Sequence, residues 1–221
     1  MWNQFWEPIQ LSITVTLAAS ATVILAGTLL GYVFARKAFK FKVLLETLFM
    51  LPLVLPPSVI GFLLIVIFGN QSIIGYVLKS IFGQSILFTW YAAVIAASVV
   101  AFPLMLQTAK AGFQGINKGI EEAAIDLGAN SRQVFIRVSL PLAKKSILAG
   151  CVLSCARALG EFGATLMFAG NIPGVTQTVP TAIYMAIDNG DMQLAWAWVF
   201  TTMILAFFLL YFVRSKENGR D

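Results

Sequence analysis

A chain of 221 residues that is 59% hydrophobic and only 11% charged, with a mean hydropathy of +0.85, has too little polar surface to close over its apolar interior as a soluble globule, and reads as an integral membrane protein. Its net charge of +5 does not describe a nucleic-acid binder, because the 15 Lys and Arg are strung out between apolar runs and form no basic face. The lack of any histidine excludes Ser-His hydrolysis, HExxH chemistry and most metal sites, so no metal and no cofactor is expected.

The opening residues, MWNQFWEP, hold two Trp and a Glu but no cation. They lack the positive flank of a cleavable leader, so the first apolar run is expected to persist. A helix crossing about 30 Å of hydrocarbon needs about 20 apolar residues, and five runs are of that order: 9–35, 43–68, 90–106, 146–169 and 193–213. The first ends at a cationic loop of Arg36, Lys37, Lys40 and Lys42. The second carries Pro52, Pro56 and Pro57, whose missing donors bend a helix and free carbonyls; it reads equally as a kinked gate helix or as a static packing kink. Next, Ile73, Ile74, Val77, Leu78 and Ile81 recur at helical spacing. They predict over 71–82 a helix lying along the membrane interface, or a sixth span if it inserts fully. In the third run Pro103 stands among Ala92, Ala93, Ala96, Ala97 and Ala101. Together with Gly27 and Gly31 of the first run these small residues offer close-approach faces, within one subunit or between two.

The most polar stretch follows, EEAAIDLGANSRQVFIRVSLPL over 121–142. It predicts a short helix over 119–127, Gly128 in the left-handed position after its last turn, and a second helix capped by Asn130 or Ser131 and ended by Pro141. Ala123 and Ala124 are small where a partner would approach, and Val134, Phe135 and Val138 form an apolar stripe. On the residues alone this is a docking handle or a solvated loop in equal measure. In the fourth run, Cys151 and Cys155 read as reduced small hydrophobes one turn apart. Counted from Ser146, Arg157 lies roughly 16 Å along the helix, near the bilayer midplane. Arg157 and Glu161 are either an i,i+4 ion pair that locks packing or a guanidinium beside an anion path. Gly160, Gly163, Thr165 and Asn171 are donors to such an anion or packing positions in the same sense. The segment 170–192 holds Pro173, Gly174 and Pro180 ahead of a short helix over 181–187.

Cations near span ends stay on the cytoplasmic side. Placing 36–42, 107–145 and the tail after 213 inside accounts for every Lys and Arg except Lys79 and Arg157. The N-terminus is then outside and the C-terminus inside, which five spans allow. The expectation is one all-α domain over 1–221, a polytopic transmembrane helix bundle with a cytoplasmic segment at 110–145. A single Arg-Glu pair and no internal repeat argue against a secondary anion transporter. The missing nucleophile–base constellation argues against an intramembrane enzyme. Composition leaves an assembly scaffold open.

Glu122-Ala123-Ala124, then Gly128 after three residues, then Leu140-Pro141, resembles the EAA signature of binding-protein-dependent ABC importer permeases, with Val138 where that signature usually has isoleucine. LPLVLPPSVIGFLL in the second run, RALGEFGAT in the fourth and NIPGVTQTVPTAIY after it resemble the molybdate permease subfamily, which also imports tungstate; sulfate permeases share parts of these stretches. The resemblance implies a type I importer permease in a prokaryotic cell membrane. It implies a homodimer that carries two ATP-binding subunits and meets an extracytoplasmic oxyanion-binding protein. It also makes the polar stretch a coupling helix, with Glu122, Ala123, Ala124, Gly128, Val138, Leu140 and Pro141 serving the ATPase contact. No G-x-x-x-x-G-K-[ST] phosphate loop occurs in the chain. ATP is therefore expected on another polypeptide, and no enzyme activity here.

Overall fold

In the computed structural model, which describes residues 2–218, all regular structure is helical. The order is α1 (Trp2–Arg36), α2 (Lys42–Val54), α3 (Pro57–Phe68), α4 (Ile73–Phe82), α5 (Trp90–Gln114), α6 (Lys118–Asp126), α7 (Ser131–Val134), a π-helical segment (Phe135–Ser139), α8 (Leu140–Leu142), α9 (Lys144–Leu159), α10 (Gly163–Phe168), α11 (Val179–Asp188) and α12 (Met192–Asn218).

The centre is α5. Its alanines at 92, 93, 96, 97 and 101 are fully buried, with Val100, Met105, Leu106, Ala109 and Phe113 continuing the same core toward its C-terminus. Small side chains there let α1 and α9 approach on either side, and dispersion rather than polar pairing holds the three together. The glycines of α1 complete the fit: a Cβ at Gly27 would lie 2.6 Å from Met105 Cγ, and one at Gly31 would lie 2.8 Å from Ala109 Cβ. Of the two uses the sequence left open for these small faces, the one realised here is packing within a subunit. Gly31→Val should therefore overpack the α1–α5 seam and cost about 1–3 kcal/mol. The check is the thermal unfolding midpoint in detergent, with Gly115→Ala, whose new Cβ has 3.6 Å of clearance, expected to leave it unchanged.

A second core joins the chain ends: Ile9 of α1, Val179, Ala182 and Ala186 of α11, and Ala195 and Trp198 of α12. Trp198 Nε1–H donates to the Phe5 carbonyl at 3.1 Å, and the Val179 N–H donates to Ser12 Oγ at 2.7 Å. These contacts fix α11 across α1, beside the site described below.

Only α1 and α5 are unbroken helices long and apolar enough to cross a membrane among the described residues. The runs 43–68 and 146–169 are helical but interrupted, while 193–213 lies in the single helix α12, whose apolar stretch is Met192–Phe208 among the described residues. The run 43–68 is not one bent helix. Leu55 and Pro56 are extended (ψ 142° and 139°) and separate α2 from α3, because the residue before a proline avoids helical ψ. Pro52 lies inside α2 and Pro57 opens α3, where a missing donor is harmless. The predicted 71–82 helix exists as α4, capped by Ser72 Oγ, and is bent by 66° from α3 across the short break between them. The run 146–169 likewise divides into α9 and α10 around Gly160–Phe162. No residue of α2 is buried, and a cavity of about 460 Å³ between α1, α2 and α5, lined chiefly by apolar side chains such as Ala26, Leu30, Phe49 and Phe102, lies apart from the polar residues singled out above.

Candidate functional site

The polar excursion forms an elbow. Asn117 Oδ1 accepts from the Gly119 N–H at 2.9 Å and starts α6. At its far end Gly128 takes φ +92°, its N–H donates to the Ile125 carbonyl at 2.8 Å, and the Ala129 N–H reaches back to the Ala124 carbonyl at 3.0 Å. That pair of bonds satisfies carbonyls the helix end would otherwise leave open. Of the two predicted caps for the next helix, Asn130 is the one used: its side chain accepts from the Gln133 N–H at 2.9 Å while Gln133 Oε1 accepts from the Asn130 N–H at 2.8 Å, a reciprocal capping box.

Pro141 does not end that helix. The chain widens into π-helical winding over Phe135–Ser139, where the Leu140 N–H bonds the Phe135 carbonyl, and Pro141 then sits in the first turn of α8. The sharp change of direction comes at Ala143, and Ser131–Leu142 meets α9 at 74°. A proline cannot donate to the carbonyl one turn back, and the widened turn before it absorbs the mismatch.

Glu122, Ala123 and Gly128 are exposed and Ala124 is half-buried; Val138 and Leu140 are half-buried and Pro141 is exposed. Around them Ile120, Ile125, Ile136 and, at 90% exposure, Leu127 place apolar surface on the same excursion. An apolar patch rimmed by polar residues on an ordered elbow is the signature of a docking surface. Sequence reasoning singled out Glu122 but missed its neighbour: Glu121 is the buried one, holding Arg36 Nε at 2.8 Å and accepting from Ser139 Oγ at 2.6 Å. The available signal was Arg36, a cation at the very end of an apolar run in need of a partner.

The second constellation lies at the break between α9 and α10. Arg157 Nη1 and Glu161 Oε2 are 2.8 Å apart, as the spacing predicts. The pair is asymmetric, the Glu161 side chain being 1% exposed and that of Arg157 31%. Glu161 Oε1 also accepts from the Ala164 N–H at 2.8 Å and so caps α10. Thr165 is fully buried, and with Glu161 it lines a cavity of about 10 Å³ shared with Ser12 and Thr16 of α1 and Thr178 before α11. Gly163 meets α3, where its Cβ would come 2.9 Å from Pro57 Cβ. Gly160 is exposed, and Asn171 is half-buried with its Oδ1 unpartnered in the interior. The structure thus brings Arg157, Glu161, Gly163 and Thr165 together around one helix break with Pro57 against it. Pro52, on α2, lines the cavity between α1, α2 and α5 instead.

Residues 24–215 match the family described as the binding-protein-dependent transport system inner membrane component. The chain belongs to that family. This inner membrane component is 56% identical over 216 residues to the putative molybdenum transport system permease protein YvgM of Bacillus subtilis (strain 168), covering 98% of this chain and 95% of that protein. It is 42% identical over 184 residues to the molybdenum transport system permease protein ModB of Escherichia coli (strain K12), covering 83% and 80%. Among solved structures it is similar in fold to a bacterial ABC transporter involved in import of the acidic polysaccharide alginate, with TM-score 0.75 at 17% identity over 96% of this chain and 79% of that one. The bundle is therefore that of a type I ABC importer permease. A transport component of this family is a multi-pass membrane protein, and membership implies a substrate-binding protein and an ATPase as separate partners.

Proposed function

We propose that this permease admits molybdate or tungstate, handed over by an external binding protein, and draws its energy from a separate ATPase that docks on the α6–Gly128 elbow. The observation that carries the substrate is the high identity, over nearly the whole of both chains, to a relative named for molybdenum transport. Sulfate, another tetrahedral dianion, is the alternative.

In this reading the whole chain is one permease domain and 110–145 its cytoplasmic segment, with the N-terminus outside and the C-terminus inside. Glu122, Ala123, Ala124, Gly128, Val138, Leu140 and Pro141 form or shape the ATPase contact. Two copies enclose a shared path, each carries one ATPase subunit, and ATP binding draws the two elbows together so that the path opens outward; hydrolysis returns it inward. The half-exposed guanidinium of Arg157, held from behind by buried Glu161, supplies positive potential to an oxyanion without becoming a deep trap. In this reading exposed Gly160, whose N–H is already given to the Ala156 carbonyl, allows close approach of the anion, and the side-chain amide of Asn171 is a donor to it. The break at Leu55–Pro56, between Pro52 and Pro57, gives α3 freedom to tilt as part of a gate. ATP is handled by the partner, and this chain performs no catalysis itself.

The test is reconstitution of the chain with its ATPase in liposomes, with binding proteins loaded with molybdate, tungstate or sulfate. ATP-dependent uptake with the molybdate or tungstate carrier and not the sulfate carrier is expected. Uptake with sulfate alone would keep the architecture and overturn the substrate, and failure to form a complex with any ATPase would sink the coupling assignment.

A further inference from the structure

Helix α6 lies against α7 and the π-helical segment but buries little of itself there. Glu121 is its only buried residue, while Ile120, Ile125 and Leu127 point outward. The carboxylate of Glu121 is held at both oxygens. Oε2 lies 2.8 Å from Arg36 Nε, at the last residue of α1, and Oε1 accepts from Ser139 Oγ at 2.6 Å, from the π-helical segment. Arg36 Nη2 donates in addition to the Ile116 carbonyl at 3.4 Å, just before α6 begins. Ser139 has no exposed surface. One turn back along α1, Tyr32 packs its ring 5.2 Å from that of Phe113 on α5 and 4.7 Å from that of Phe135 in the same π segment. Polar and aromatic contacts thus tie α1, α5, α6 and the π segment at one joint.

We propose that Glu121, with Arg36 and Ser139, is a positioning cluster that makes the elbow and α1 move as one body, so that a push delivered to α6 by the ATPase reaches the longest helix of the bundle directly rather than only along the backbone into α9. The proposal rests on the coupling reading above. Its physical basis is that a helix with a single buried anchor transmits force through that anchor, and that a carboxylate hydrogen-bonded to one element and ion-paired with another is restrained by two separate neighbours at once. The π winding belongs to the device, since it carries both Phe135 and Ser139 to the joint; such segments recur where a helix performs a task beyond packing.

The experiment measures anion taken up per ATP hydrolysed in liposomes holding the permease with its ATPase and a molybdate-loaded binding protein. The chains are unsubstituted, Glu121→Gln, Arg36→Gln, Arg36→Lys, and the exchanged pair Arg36→Glu with Glu121→Arg. Glu121→Gln keeps the acceptor for Ser139 and removes the charge, so it tests the ion pair rather than the presence of a side chain. Both glutamine variants are expected to form the complex in near-normal amount, to keep hydrolysing ATP, and to lose about five-fold or more in uptake per ATP, the lower end of coupling between sites. Arg36→Lys and the exchanged pair are expected to recover part of the ratio. An unchanged ratio in both glutamine variants overturns the proposal. So does a loss of uptake that only tracks a loss of assembled complex, which would make the cluster a brace, or an exchanged pair no better than the single variants. Should the unsubstituted chain itself fail to assemble or transport, the coupling assignment falls first and this proposal with it.

Discussion

Gly128→Pro should abolish uptake in reconstituted liposomes, by at least about ten-fold, the kinetic equivalent of roughly 1.4 kcal/mol of lost coupling, while the chain still inserts and is recovered from the membrane fraction. Two losses combine. Proline fixes φ near −65°, whereas position 128 requires +92°, and it removes the N–H that closes the turn on the Ile125 carbonyl. The elbow then has no geometry in which α6 and α7 keep their present angle. Gly128→Ala separates shape from space. A Cβ there meets nothing within 4 Å, so the cost is only the left-handed backbone, about 1–2 kcal/mol, and uptake should fall only partway toward that of the proline variant. Uptake and ATPase rate measured together decide the matter. A proline variant that transports normally would remove the elbow from the mechanism.

The second large effect concerns the ion pair, and its burial makes the two partners unequal. Truncating Arg157 to Ala leaves Glu161, nearly inaccessible, without its cation, and stranding one member of a buried pair typically costs about 3–5 kcal/mol. Glu161→Gln is milder. The amide oxygen can still accept from the Ala164 N–H and preserve the cap on α10, and the released guanidinium already has open space to turn into. About 1 kcal/mol or less is expected, as for an ion pair with one partly exposed and screened member. The double variant should be more stable than the sum of the single effects, because the stranded charge disappears. Unfolding midpoints in detergent test the order, and a glutamine variant less stable than Arg157→Ala would contradict the burial argument. Uptake by Arg157→Gln addresses the other role: normal transport would leave the guanidinium with structure alone.

How far the sequence could be read depended on whether a signal was local. Gly128 and a helix cap at Asn130 or Ser131 were legible because each acts on backbone within a few residues of itself. Helix α4 was legible from period, and the Arg157–Glu161 pair from spacing. What could not be read was tertiary. Whether Gly27 and Gly31 faced α5 or another subunit depends on a partner face about eighty residues away. That Glu121 and not Glu122 turns inward depends on where Arg36 and Ser139 arrive. The interruption at Gly160–Phe162 was hidden because apolar sequence continues on both sides of it, and the break is stabilised by a side chain, Glu161, that the same run supplies. At Pro141 a rule of thumb misled: proline usually ends helices, but a widened turn upstream let this one pass.

Helix α2 carries a different implication. None of its residues is buried, and its polar tether is the Glu46–Lys110 ion pair at 2.8 Å. Substitutions along its outward face therefore cost the isolated fold almost nothing, as is usual where no core contact is lost. Over generations such a surface is free to follow whatever lies against it, lipid or protein. A lineage of these permeases could exchange one neighbour for another by rewriting α2, while the seam between α1 and α5, glycine against methionine and alanine, stays under the strict control of shape.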